Sequence, residues 1–142
     1  MNSPTRRRVT EDKTWVLAPL LELPHVIHAA VISGDGFIEG CSPGLQRDSA
    51  EGVAAMMSAL QGAGRAVTAA FAGRDDAKLR QTVIESDEGF VFAIPAGENT
   101  CLAVFCAPEV NMGVVAHHMQ IQVTTLGKKV MSSPARDIGS PA

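Results

Sequence analysis

Over residues 47–72 (RDSAEGVAAMMSALQGAGRAVTAAFA) apolar side chains return at alternating intervals of four and three: Val53, Met57, Leu60, Val67 and Phe71, with Gly64 in step. That rhythm predicts one long amphipathic helix whose bulky stripe lies on a sheet. A second stripe with the same spacing, Gly52, Met56, Ala59, Ala63, Ala66 and Ala70, runs beside it and is almost wholly small. Small side chains let another backbone come close, and a chain of 142 residues offers a single core. The expected second neighbour is the same helix of another copy.

Around this helix the pattern changes period. Residues 15–23 carry Trp15, Leu17, Leu20 and Leu21 and read as a short helix, with Pro19 at ease only in its first turn. Pro24 ends it. Residues 26–32 (VIHAAVI) form a strand apolar on both faces except at His28, and Ser33-Gly34-Asp35-Gly36 turns the chain back. The return strand, 37–41, is short and weakened by Gly40. Pro43 and Gly44 lead to the long helix, with Asp48 or Ser49 as its expected N-cap, Glu51 in its first turn and Gly73 at its C′ position.

A meander of three strands follows. Residues 78–85 are the most polar, 90–94 (FVFAI) come after the turn Ser86-Asp87-Glu88-Gly89, and 101–107 are again apolar without alternation. From Asn111 or Met112 to residue 131 a last helix places Val115, Met119, Val123, Leu126 and Val130 on one stripe, with Lys128 and Lys129 at the negative end of its dipole. Strands apolar on both faces need cover on both, so helices flank the sheet on each side, and the strands at 37–41 and 78–85 make its edges. The fold class is α+β: one domain at 14–131 between tails at 1–13 and 132–142. The first tail is charged and aperiodic and the second rich in Ser and Pro, so both are expected to be disordered.

Charge and cysteine content narrow the function classes. A formal net charge of −3 argues against a general nucleic-acid binder. Arg6, Arg7 and Arg8 form the only basic run and precede no apolar segment of signal-peptide length; no stretch approaches the roughly 20 apolar residues of a membrane span, so the expected location is the cytoplasm, without membrane insertion. Cys41, Cys101 and Cys106 fit no metal-ligand spacing. Cys101 and Cys106 fall on opposite faces of one strand, and all three cysteines read as small buried hydrophobes in a reducing compartment.

The sequence carries no catalytic constellation. Ser33, Ser42, Ser49 and Ser58 stand in no Gly-x-Ser-x-Gly elbow, and turn, cap and surface roles explain them without a base from His25, His28, His117 or His118. His117 and His118 diverge by about 100° on a helix and cannot chelate one metal together. No P-loop or dinucleotide fingerprint occurs, since Gly62 and Gly64 lie inside the helix; neither a cofactor nor a metal is expected. The remaining surface is a polar strip on the long helix, Glu51, Ser58, Gln61, Arg65 and Thr68, which is either the wet face of an amphipathic helix or a platform for a protein partner.

The order helix, two strands, long helix, three strands, helix resembles the Roadblock/LC7 family. The resemblance is carried by Leu23-Pro24-His25-Val26, Ala29 to Ile32 with Asp35-Gly36, the Ala-rich helix, Arg80-Gln81-Thr82-Val83-Ile84-Glu85, Gly89-Phe90 and Leu102-Ala103-Val104. His25 stands where the family usually has Gly, and Pro19 interrupts the first helix. The resemblance implies a five-stranded antiparallel sheet with the long helix on one face and the two terminal helices on the other, as in profilin-like layering. It implies homodimers or heterodimers that pair the long helices and join the following strand, here with Arg80 and Thr82, across a two-fold axis. It also implies a non-enzymatic bacterial regulator or scaffold that binds a small Ras-like GTPase, beside a sensor kinase-like protein, and in some members promotes GTP hydrolysis. Two other readings stay open: a small-ligand sensor, which needs a roomy cavity, and a structural dimerisation scaffold indifferent to nucleotide state.

Overall fold

The computed structural model describes residues 12–132, with side chains described through residue 128. The expected tails lie outside this range apart from residues 12, 13 and 132, and the side chains of Lys129 and Val130 fall outside it too. A 3-10 turn (Thr14–Leu17) runs into α1 (Ala18–Leu21), then β1 (Val26–Ser33), β2 (Ile38–Cys41), α2 (Arg47–Ala72), β3 (Thr82–Ser86), β4 (Gly89–Pro95), β5 (Thr100–Cys106) and α3 (Met112–Ser132). The strands form one antiparallel sheet in the order β2-β1-β5-β4-β3, with the short and the polar strand at its edges.

Two cores cover the two faces, as the doubly apolar strands require. On one face Ala29, Val31, Phe92, Leu102, Val104 and Cys106 meet Val16, Leu17 and Leu20 of the N-terminal turn and α1, and Val115, Met119 and Leu126 of α3. On the other, Ala30, Ile32, Ala93, Cys101 and Ala103 meet Ala54 and Met57 of α2. The small row Ala30–Ala103–Ala93, in register across β1, β5 and β4, lets α2 settle close to the sheet.

Local boundaries differ from the sequence reading for identifiable reasons. The helix expected at 15–23 shrinks to a 3-10 turn and one α-turn, with Pro19 in the first turn of the latter. The strand expected from 78 begins at Thr82, whose pair with Ala93 ends the β3–β4 ladder although β4 runs on to Pro95, and Leu79 packs instead against Gly64 of α2. The N-cap of α2 is Gln46, in an extended conformation without a side-chain capping bond, rather than Asp48 or Ser49. Gly73 closes the helix at φ 73° and donates its N–H to Ala69 O, as a C′ glycine does.

His25 adopts φ 71°. That left-handed conformation favours glycine, which accounts for the Gly usual in the family at this point. Gly40 has a packing role beyond weakening its strand: a Cβ there would meet the backbone of Lys13 and Thr14. Lys13 crosses β2 at that point, donating its backbone N–H to Glu39 O at 2.8 Å and its ammonium to the Glu39 carboxylate at 2.9 Å.

Candidate interaction surfaces around the long helix

At 26 residues α2 spans about 39 Å, whereas five strands are roughly 19 Å across, so the helix must overhang its own sheet. Its side chains show where it leaves. Ala50, Ala54, Met57 and Gln61 are buried against the sheet, and Leu79 meets the helix at Gly64. Beyond that turn Val67 is 54% exposed and Phe71 90% exposed, so these two do not lie on the sheet as their rhythm predicts. The expected small stripe, Gly52, Met56, Ala59, Ala63, Ala66 and Ala70, is at least partly exposed throughout, with Met56 at 66%. At about 100° per residue, Met56, Leu60, Ala63, Val67 and Ala70 share one flank of the helix, and Phe71 borders it. The bulky and small stripes therefore merge into a single apolar flank.

Beneath that flank the sheet is also open. His28, Phe105, Val91 and Ile84 lie side by side across β1, β5, β4 and β3, and none is fully buried. With Leu45, Val53 and Met57 the first three bound an apolar cleft of about 250 Å³. Its one polar corner is satisfied: the Ser42 hydroxyl lies 3.3 Å from His28 Nδ1 and accepts the Ala29 N–H at 3.2 Å. The edge strand β3 pairs only with β4 and exposes Val83 and Ile84. Arg80 is exposed just before it, and Thr82 is half-buried.

The opposite flank of α2 carries the expected polar strip, which the structure breaks up. Gln61 is only 6% exposed and donates through Nε2 to Thr82 Oγ1, so it belongs to the sheet contact and not to an outward platform. Glu51 pairs with Arg47 at 3.1 Å, Ser58 donates to Gly34 O at 2.6 Å, and Thr68 donates to Gly64 O within the helix. Of the strip, Arg65 alone keeps a side chain without a partner among the described residues. It overlooks a second cleft, of about 160 Å³, between α2 and the β4–β5 turn. Neither cleft has a signal in the local sequence, because each joins residues far apart in the chain.

Elsewhere the candidate groups have structural roles. His117 and His118 stand edge to face with ring centroids 5.6 Å apart, and no cluster of three metal-ligating side chains exists among the described residues. Burial pushes the Cys101 and Cys106 thiols up to about 11, keeping both neutral. No helix among the described residues is long and apolar enough to cross a membrane.

The family profile of the Roadblock/LC7 domain matches residues 13–105. The chain belongs to the Roadblock/LC7 family. Roadblock/LC7 domains are in general regulatory rather than enzymatic. A Roadblock/LC7 domain from Streptomyces avermitilis is 32% identical, with a TM-score of 0.77 over 86% of this chain and 100% of that one. The fold is shared at lower identity with MglB of Myxococcus xanthus, at 14%, TM-score 0.74 and coverage of 84% and 94%. It is shared likewise with the gliding protein MglB of Thermus thermophilus, at 19%, TM-score 0.69 and coverage of 90% and 91%. No functionally curated protein matches the chain.

Proposed function

We propose that this Roadblock/LC7 protein is a non-catalytic homodimeric regulator that binds a small Ras-like GTPase in a bacterial signalling complex. The observation that carries the dimer is the match between what one chain exposes and what it leaves open. Phe71 and Val67 project beyond their own sheet on a helix end, and a largely apolar cleft lies beside the same helix at Val53 and Met57.

A two-fold interface requires that if Phe71 meets the partner's cleft, the partner's Phe71 meets this one. The symmetry axis then passes midway along the helix. Midway between Val53 and Phe71 is Gly62, and midway between Met57 and Phe71 is Gly64. Antiparallel copies of α2 would thus cross near Ala63, where the small side chains of the stripe let the two backbones come close. The seam extends over Gly52, Met56, Ala59, Ala63, Ala66 and Ala70. The unpaired edge at β3, with Arg80 and Thr82, joins its symmetry mate.

The GTPase reading rests on family membership and on likeness of fold to MglB. A regulator of this kind needs no catalytic group of its own, because ordering the GTPase's switch loops suffices. Its contact surface is the outward part of the polar flank, Glu51, Ser58, Arg65 and Thr68, without Gln61. A sensor kinase-like protein is the expected third component. Pull-down and GTP turnover with the cognate GTPase test this: binding that prefers one nucleotide state supports it, equal affinity for both states favours a passive scaffold, and binding in neither state overturns it.

A further inference from the structure

We propose that the cleft under Arg65 binds a single carboxylate group, carried either by a small organic acid or by an acidic side chain of another protein. The cleft lies on the flank of α2 opposite the proposed dimer seam, so dimerisation leaves it open; Ser58 and Arg65 also belong to the proposed GTPase surface, which is why the test below uses the chain without any GTPase. Its walls are the Arg65 flank of α2, the end of β1 at Ser33-Gly34, and the β4–β5 turn at Gly97 and Asn99.

The chemistry of the walls is specific. Among the described residues, three cations pair with acids, at Lys13–Glu39, Arg47–Glu51 and Arg74–Asp76, and Arg65 has no such partner. No acidic side chain lines the cleft; Glu98, in the adjoining turn, is outside its wall. The Asn99 carboxamide is likewise without a hydrogen-bond partner. It is held in place from both sides: Asn99 sits at φ 59° and accepts the Gly34 N–H on its backbone carbonyl at 2.7 Å, and a side chain on Gly34 would collide with the carboxamide. Gly34 therefore makes room for the carboxamide at the wall of a cleft that Arg65 also lines. The Ser58 and Thr100 hydroxyls are committed to Gly34 O and Glu98 O, which fixes the floor without adding competing donors.

Size and charge choose the ligand. A volume of about 160 Å³ falls below the roughly 300 Å³ at which drug-sized ligand sites begin, and suits a carboxylate on a short carbon stem. A phosphate dianion would want a second cation or a helix N-terminus, and the cleft offers neither. One planar guanidinium matches one carboxylate through two parallel hydrogen bonds.

The test is a titration of the full ¹⁵N-labelled chain, without any GTPase, followed by amide NMR. Succinate and N-acetylglutamate amide are added in turn, with sodium chloride at matched ionic strength as reference. The expected result is a saturating shift of the Gly34, Gly97 and Asn99 amides and of Arg65 Nε–H, with a Kd on the order of millimolar. It should weaken several-fold in Arg65→Lys and vanish in Arg65→Ala, whose other resonances confirm the fold. Tighter binding of succinate identifies a free acid as the source, and tighter binding of the capped glutamate identifies a protein side chain. Shifts that fail to saturate, that chloride reproduces, or that survive in Arg65→Ala overturn the proposal.

Discussion

Gln61 Nε2 donates a hydrogen bond to Thr82 Oγ1 at 3.1 Å, tying the middle of the long helix to the edge strand of the sheet. Because Gln61 is buried, the bond is worth most when it is missing. Thr82→Val should cost about 1–3 kcal/mol by leaving the amide unpaired, whereas Thr82→Val combined with Gln61→Leu should recover most of that loss. Urea denaturation of the two single variants and the double variant forms the cycle that measures it; strict additivity would deny the coupling.

His25 holds a conformation that favours glycine. His25→Gly should remove the strain and raise stability by up to about 1 kcal/mol, less what glycine gains in freedom when unfolded. Thermal unfolding decides it, and a drop in Tm would mean that the imidazole contributes packing that outweighs the strain.

Gly89 has φ 138°, and a Cβ there would run into the carbonyl of Cys106 on β5. Gly89→Ala should therefore destabilise the chain by about 2 kcal/mol or more, through strain and displacement of the β4–β5 pairing. Hydrogen exchange should show the loss of protection concentrated at the Phe90–Cys106 pair.

The two buried thiols set an alkaline limit. Cys101 and Cys106 ionise near 9.0 when unfolded and near 11 when folded, so between these values the unfolded chain binds fewer protons. Stability is intact below pH about 9 and falls as pH rises towards 11, by roughly 1–3 kcal/mol per thiol. Urea midpoints measured from pH 8 to 10.5 should decline, and the slope should flatten when both cysteines are replaced by alanine.

Dimerisation has a direct probe. Ala63→Glu puts a charge at the proposed crossing point, and Phe71→Asp removes the projecting ring; neither residue is buried in the single chain. Both variants should stay folded by circular dichroism and weaken self-association at least 100-fold, about 2.7 kcal/mol, by light scattering and sedimentation. An unchanged dimer in both would refute this seam.

Much of the architecture was legible because it depends on direction around an element. The rhythm of residues 47–72 located α2, and strands without alternation implied cover on both faces. The same rhythm misplaced Val67 and Phe71, since periodicity reports which way a side chain points and not how wide the sheet beneath it is. Gln61 looked like surface because its partner Thr82 lies 21 residues away. The Arg65 cleft was invisible for the same reason: Asn99 reaches it from a turn between two other strands.

The crossing of Lys13 over Glu39 carries a consequence for how copies accumulate. It occupies one rim of the sheet at that point and leaves the opposite rim bare. Objects that can be extended at only one end run out of places to grow after a single addition. In the proposed dimer the covered rim would then stop growth at a finite pair and keep it from open-ended fibrils.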